Sequence, residues 1–123
     1  MKLVTTQITD NLSLLYPNIN WYVNFVPEAD AIVPNLPIGR VVELNMDYEE
    51  FASDLPLYID STVQLDVWFD KTADAEDFYY AVDQFFLQQG CSVLYSEITT
   101  DPDIENKPRI IKRYLVRRHI DLG

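Results

Sequence analysis

Glycine, cysteine and histidine are nearly missing from this chain: its 123 residues hold three glycines, one cysteine and one histidine. Gly-rich phosphate loops and nucleophile elbows are absent, and so are the HExxH, CxxC and kinase signatures. With Cys91 alone, no intramolecular disulfide forms and no thiolate metal cluster exists. Cys91 follows Gly90 at the head of an apolar strand, where a small buried apolar side chain is expected. A nucleophilic thiol would need His119 as its base, and nothing fixes the two together. Internal repeats and low-complexity tracts are absent. No apolar run is long enough for a signal peptide or a membrane span, since polar residues follow Met1-Lys-Leu-Val at once, so the expected compartment is a reducing cytoplasm. Asn11-Leu-Ser13 fits a glycosylation sequon, which means nothing without export.

Positive charge is scarce as well. Nine Lys and Arg face twenty Asp and Glu, for a net charge of −11. The imbalance is uneven: residues 1–106 hold nineteen acids and three bases (−16), residues 107–123 six bases and one acid (+5). Two readings follow. Either the basic C-terminal strand pairs with carboxylates of its own chain, or it contacts the acidic loops of the next copy head to tail. Nucleic-acid binding through a basic surface is disfavoured at this balance.

What is present suits one folded domain spanning 1–123. Apolar residues make up 48% and aromatics 13%, and a chain of this size can bury roughly two thirds of the surface that its unfolded form exposes. Ile8, Leu12, Leu15 and Tyr16 predict a helix over Thr5–Tyr16, capped by Thr5 or Thr6 and stopped by Pro17. Trp21–Phe25 alternates as a short strand. Pro27, Pro34 and Pro37 keep the next segment out of helices and central strands. Arg40–Asn45 reads as a strand, and 46–60 as a long connection whose aromatics either fold back on the core or form an arm that touches a partner.

The clearest alternation is Thr62–Phe69, with Val63, Leu65, Val67 and Phe69 facing a core. The other face is polar except for Trp68, which sits either under a loop or at an interface. Asp74–Gln89 carries the helical stripe Ala75, Phe78, Tyr79, Val82, Phe85, Phe86 and Gln89. Asp70 and Thr72 offer cap oxygens, Asp74, Glu76 and Asp77 favour its positive end, and Gly90 supplies the stop. Ser92–Thr99 is a strand with Val93 and Tyr95 on one side and Leu94 on the other. From Arg109 to Asp121, Ile110, Tyr114, Val116 and Ile120 share a face interrupted by Lys112 and Arg118. Ile111, Arg113, Leu115 and Arg117 share the other, so both faces are expected to be partly covered. The Asp101-Pro-Asp103 turn and the following Glu105-Asn106 space oxygens as a calcium loop would, but lack the glycine and the bidentate Glu of an EF-hand; a Pro-initiated acidic turn is the simpler reading. The fold class expected is α+β, two-layered, with a mixed, mostly antiparallel sheet of four to five strands and two helices on one face.

The strand Val63-Gln-Leu-Asp-Val-Trp68, the helix ending at Gly90, the turn Asp101-Pro-Asp103 and the run from Arg109 through Arg113-Tyr114 together resemble the small tail proteins of long-tailed bacteriophages. The resemblance is to the tail terminator family, especially its versions from phages of Gram-positive hosts. It implies a non-enzymatic virion protein without a cofactor, made in the host cytoplasm and carried at the head-proximal end of the tail. Six copies would close a ring that caps the tube, stops its polymerisation and presents a docking surface to the head. Its partners would be further copies of itself, the major tail tube protein and a head-completion connector. DNA would pass through the lumen without specific binding, helped by an acidic lining for which Asp47, Glu49 and Glu50 are candidates. Under this resemblance Asp66, Trp68, Arg113, Arg117 and Arg118 are candidates for the subunit or tube interface. Tyr48, Glu49, Glu50 and Phe51 are candidates for a partner-contacting loop, and Asp101 and Asp103 for an acidic turn. Another phage connector (head-closure or neck) and a small acidic cellular protein are the alternatives.

Overall fold

The computed structural model describes residues 2–52 and 55–119, with the backbone alone at 48–52 and 55–57. The element order is α1 (Val4–Leu15), β1 (Asn20–Val23), β2 (Ile38–Ala52), β3 (Leu55–Trp68), α2 (Thr72–Gln88), β4 (Ser92–Asp101) and β5 (Lys107–His119). The strands form one sheet in the order β1-β2-β3-β5-β4. β1 and β2 run parallel, and the other pairs are antiparallel. The fold is α+β, with both helices contributing to one core cluster on one face of the sheet. Among the described residues no helix is long and apolar enough to cross a membrane.

The period-two pattern of β3 places Val63, Leu65, Val67 and the following Phe69 in the core, as its alternation predicts. On β5 the register sets Tyr114 opposite Val63, Lys112 opposite Leu65 and Ile110 opposite Val67, so these side chains share the helix-covered face. α2 buries Ala75, Phe78, Val82 and Phe86, one per turn. It ends where Gly90 adopts φ +80°: the Gly90 N–H donates to the Leu87 carbonyl and the Cys91 N–H to the Phe86 carbonyl, each at 3.0 Å. This double closure satisfies carbonyls that a helix end leaves orphaned, and glycine enters the left-handed region without strain.

Several expectations are corrected. Residues 46–60 are not a connection. They complete a long hairpin in which Asp47 pairs with Asp60, Tyr48 with Ile59 and Ala52 with Leu55. The pattern misled because alternation of apolar residues signals a covered face, and the described β2 side chains from Leu44 to Asp47 are exposed. β1 stops at Val23: Asn24 has φ +73°, and Phe25 lies outside the strand, exposed. Neither helix has a side-chain cap at its start; Leu3 and Lys71 occupy the cap positions. Thr5 is buried inside α1, where its carbonyl accepts the Thr9 hydroxyl, and Leu15 is exposed rather than part of the stripe. Asp70 binds Lys107 at 2.8 Å instead of capping α2. Gln89 is exposed too.

Two bulges break the registers, one at Leu44 on β2 and one at Leu94 on β4. The second puts Val93 opposite Tyr114 and Tyr95 opposite Arg113, so Val93 and Tyr95 lie on different faces and not on one. Ile120 of the expected β5 face lies outside the described residues.

One close approach is specific. Gly39 pairs with Trp21 across β1 and β2, and a Cβ at Gly39 would collide with the Trp21 ring and press on Ile19. Gly39→Ala should therefore destabilise the fold by about 1–3 kcal/mol through overpacking. A lower urea midpoint with an unchanged m-value would show it; an unchanged midpoint would refute the packing account.

Candidate functional site

The sheet face away from the helices carries five of the residues that the sequence singles out, Asp66, Trp68, Asp101, Arg113 and Arg117. β3 presents Asp60, Gln64, Asp66 and Trp68 there, and β5 presents Arg109, Arg113 and Arg117, with Arg113 directly opposite Gln64 and Arg117 opposite Asp60. The arginines recur every four residues, so the strand period sends all three to one side.

Asp66 is the centre of this face. Its side chain is 0% exposed. One carboxylate oxygen accepts Arg40 from β2, at 2.5 Å from Nη2 and 3.2 Å from Nε. The other accepts Arg109 from β5, at 2.7 Å from Nη2 and 3.2 Å from Nε. Gln64 Nε2 adds a donor at 3.1 Å. Both guanidiniums lie over the Trp68 ring, 5.7 and 5.1 Å from its centroid. The Trp68 indole N–H donates to Asp101 Oδ2 at 2.8 Å, and Asp101 Oδ1 accepts the Asp103 backbone N–H at 2.9 Å. Two arginines and two carboxylates thus balance around one aromatic ring.

Trp68 is 6% exposed and packs with Ile38 and Ile104 in a small second core, against Tyr22, Val26 and Leu36 among others. Of its two readings the buried one holds: it sits under its own chain. Trp68 and Asp66, both named as interface candidates, are covered within the subunit. Arg113 is exposed; its Nε donates to Gln64 at 3.0 Å and its guanidinium lies 4.9 Å from the Tyr95 ring centroid. Arg117 grips both oxygens of Asp60 at 2.7 and 2.8 Å and lies over Tyr58. Arg118 is on the opposite side of the sheet, where its Nη1 donates to the Lys2 carbonyl at 2.8 Å. The structure thus brings Asp66, Trp68, Arg113, Arg117 and Asp101 to one face and leaves Arg118 on the other. Tyr48, Glu49, Glu50 and Phe51 belong to the distal part of β2 rather than to a loop, and their side chains lie outside the described ones. Asp103 is exposed in the 3-10 turn Pro102–Ile104.

The basic strand is matched largely inside the subunit: Lys107 by Asp70, Arg109 by Asp66, Lys112 by Asp83 and Arg117 by Asp60. Of the two readings of the charge segregation, the structure displays the intrachain one.

Sequence reasoning missed a second polar cluster, under α2. Lys112, 1% exposed, holds its ammonium 3.2 Å from Asp83 and 3.8 Å from the Tyr79 ring centroid. Tyr114 donates to the other Asp83 oxygen at 2.6 Å and stacks on Phe86. Burial, and then the Asp83 hydrogen bond, push the Tyr114 hydroxyl well above its ordinary value. A lysine interrupting an apolar face was the available signal. Cys91 is in the core and its thiol is pushed up by burial, while His119 packs edge-on to Tyr58, ring centroids 4.6 Å apart.

Two outcomes test the face. Asp66→Asn removes one charge beneath two partly solvated guanidiniums, so it should cost about 2–3 kcal/mol, less than a wholly buried pair; urea unfolding reads it, and a loss under about 0.5 kcal/mol would refute the central role. Arg117 holds the Asp60 carboxyl below its ordinary value. A carboxyl with a lowered folded value stabilises fully above its unfolded value, near pH 4, and loses that contribution as pH falls through the folded one. Asp60→Asn should thus be less stable than the parent at neutral pH and converge with it in strong acid. Parallel urea curves offset equally at both ends would contradict this.

No protein-family model matches the chain, and no curated protein is significantly similar to it in sequence.

Proposed function

We propose that this protein is a structural ring subunit that caps a phage tail tube, the role that its resemblance to tail terminators implies. The observation that carries the reading is a sheet with two long edges left unpaired in the single chain. β1 covers β2 only from Ile38 to Val41, which leaves the outer side of β2 open from Val42 to Ala52 among the described residues. β4 is the opposite edge over Ser92–Asp101, with Val93, Leu94, Tyr95 and Ile98 exposed. Neither Pro nor Lys blunts β4, though the bulge at Leu94 does so near its start. Unlike edges on opposite sides of one sheet suit a heterologous contact, repeated around a closed ring.

The basic strand is not the seam in this reading, because its charges are largely met internally. Acidic edges also repel: Glu97 and Asp101 lie on β4, and Asp47, Glu49 and Glu50 on β2. The copies are therefore expected to associate weakly alone and to close on the tube end, where a partner supplies the template. Asp47 is exposed on the hairpin, which suits an acidic lumen past which DNA phosphates slide.

Purified tails assembled with and without the protein test the role: tubes of uncontrolled length in its absence support it, and tubes of normal length remove it. The seam has its own test in sedimentation of the isolated protein. Association should rise with salt, since added ions screen like charges, and Leu94→Glu with Ile98→Glu, which removes apolar contact and adds to the repulsion, should abolish it while the fold persists. Association unaffected by the two glutamates would place the seam elsewhere.

A further inference from the structure

The helical side carries a second surface, independent of the ring. A cleft of about 620 Å³ opens between the C-terminal end of α1 and the N-terminal end of α2. Tyr16, Ile19, Phe69 and Phe78 line it. Its aromatic lining is held in place: Phe78 packs edge-on to Tyr16 at 5.0 Å and against Phe69 at 5.4 Å, and the Trp21 indole N–H donates to the Tyr16 carbonyl at 3.1 Å. Asp70, Asp74 and Asp77 stand along one side. Asp70 is engaged by Lys107, whereas Asp74 and Asp77 are exposed and have no ion-paired partner among the described residues. The helix dipole accounts for one acid in the first turn of α2; it does not account for an apolar cleft beside it.

We propose that this cleft docks a basic segment of a different protein. An aliphatic or aromatic side chain would seat on Tyr16 and Phe78, while flanking Lys or Arg heads meet Asp74 and Asp77. Charge selects the occupant. A second copy is a poor fit, because six of the nine Lys and Arg of this chain are already ion-paired within it and its net charge is −11. Nucleic acid and anionic lipid are repelled by the same carboxylates. A cationic head close to Tyr16 and Phe78 also gains from the negative faces of their rings. The proposal needs neither a phage nor a ring, so it stands or falls apart from the role proposed above.

The probe is a short fluorescein-labelled peptide in which lysines flank a Trp-Leu pair, read by anisotropy against the whole protein. Its mirror in charge, with glutamates for the lysines, is the comparison. Asp74→Asn with Asp77→Asn should weaken binding about tenfold, as the loss of two partly exposed charge contacts predicts. Asp47→Asn with Asp103→Asn removes the same charge at residues that do not line the cleft and should change binding less than about twofold. Leu15→Ser, at the exposed apolar margin of the cleft, should weaken it as well. All three variants alter exposed side chains, and circular dichroism confirms their folding. Equal losses in the two Asn pairs, or equal binding of the glutamate peptide, would reduce the effect to the general field of an acidic protein and overturn the proposal. So would absence of binding. A changed sedimentation coefficient of Leu15→Ser alone would show that a second copy occupies the cleft, and would overturn it too.

Discussion

The three central strands are tied together by one carboxylate. Asp66 on β3 takes Arg40 from β2 and Arg109 from β5, one per oxygen, and Trp68 roofs both guanidiniums. A buried carboxylate survives only when its charge is answered, so β2 and β5 must hold their places on either side of β3. The Trp68 indole N–H then donates a hydrogen bond to Asp101, which fixes the 3-10 turn between β4 and β5. The Pro-rich segment closes over the same ring through Val26, Val33 and Leu36. Much of what is irregular in this chain is therefore organised around a residue in its most regular strand.

The same economy runs through the whole charge distribution. Cations are scarce, and four of the nine answer the largely buried carboxylates Asp60, Asp66 and Asp83. Lys112 is the extreme case, an ammonium set among apolar side chains to answer Asp83, whose other oxygen accepts the Tyr114 hydroxyl. What remains outward is mostly acidic. Attraction between copies must then come from backbone edges and apolar side chains, while attraction to other proteins is open to any partner with spare positive charge.

Much of this was legible in the sequence, for identifiable reasons. β3 and α2 are strongly periodic because each has one face in the core, and Gly90 marks the helix end because the left-handed turn there suits glycine. The distal hairpin was not legible. The described β2 side chains from Leu44 to Asp47 are exposed, so alternation there marks no covered face. The charge partners were hidden for another reason: among twenty acids, chance pairings outnumber real ones, and only the register shows that Arg40 and not Arg113 lies opposite Asp66. Asp66 and Trp68 were singled out, but as outward residues, because alternation tells which face a side chain takes and not what covers that face.

The bulges at Leu44 and Leu94 have a consequence for how such a chain varies over evolutionary time. Each is an extra residue with no partner across its ladder, one in the part of β2 that β1 does not cover and one on the edge strand β4, and the pairing resumes beyond it. Loss of either leucine would leave every downstream side chain on its present side, whereas a deletion elsewhere in these strands would turn all that follows inside out. Length differences within the sheets of kindred sequences should accordingly gather at these two leucines, which makes them the natural places to lengthen or trim an edge without redesigning the interior.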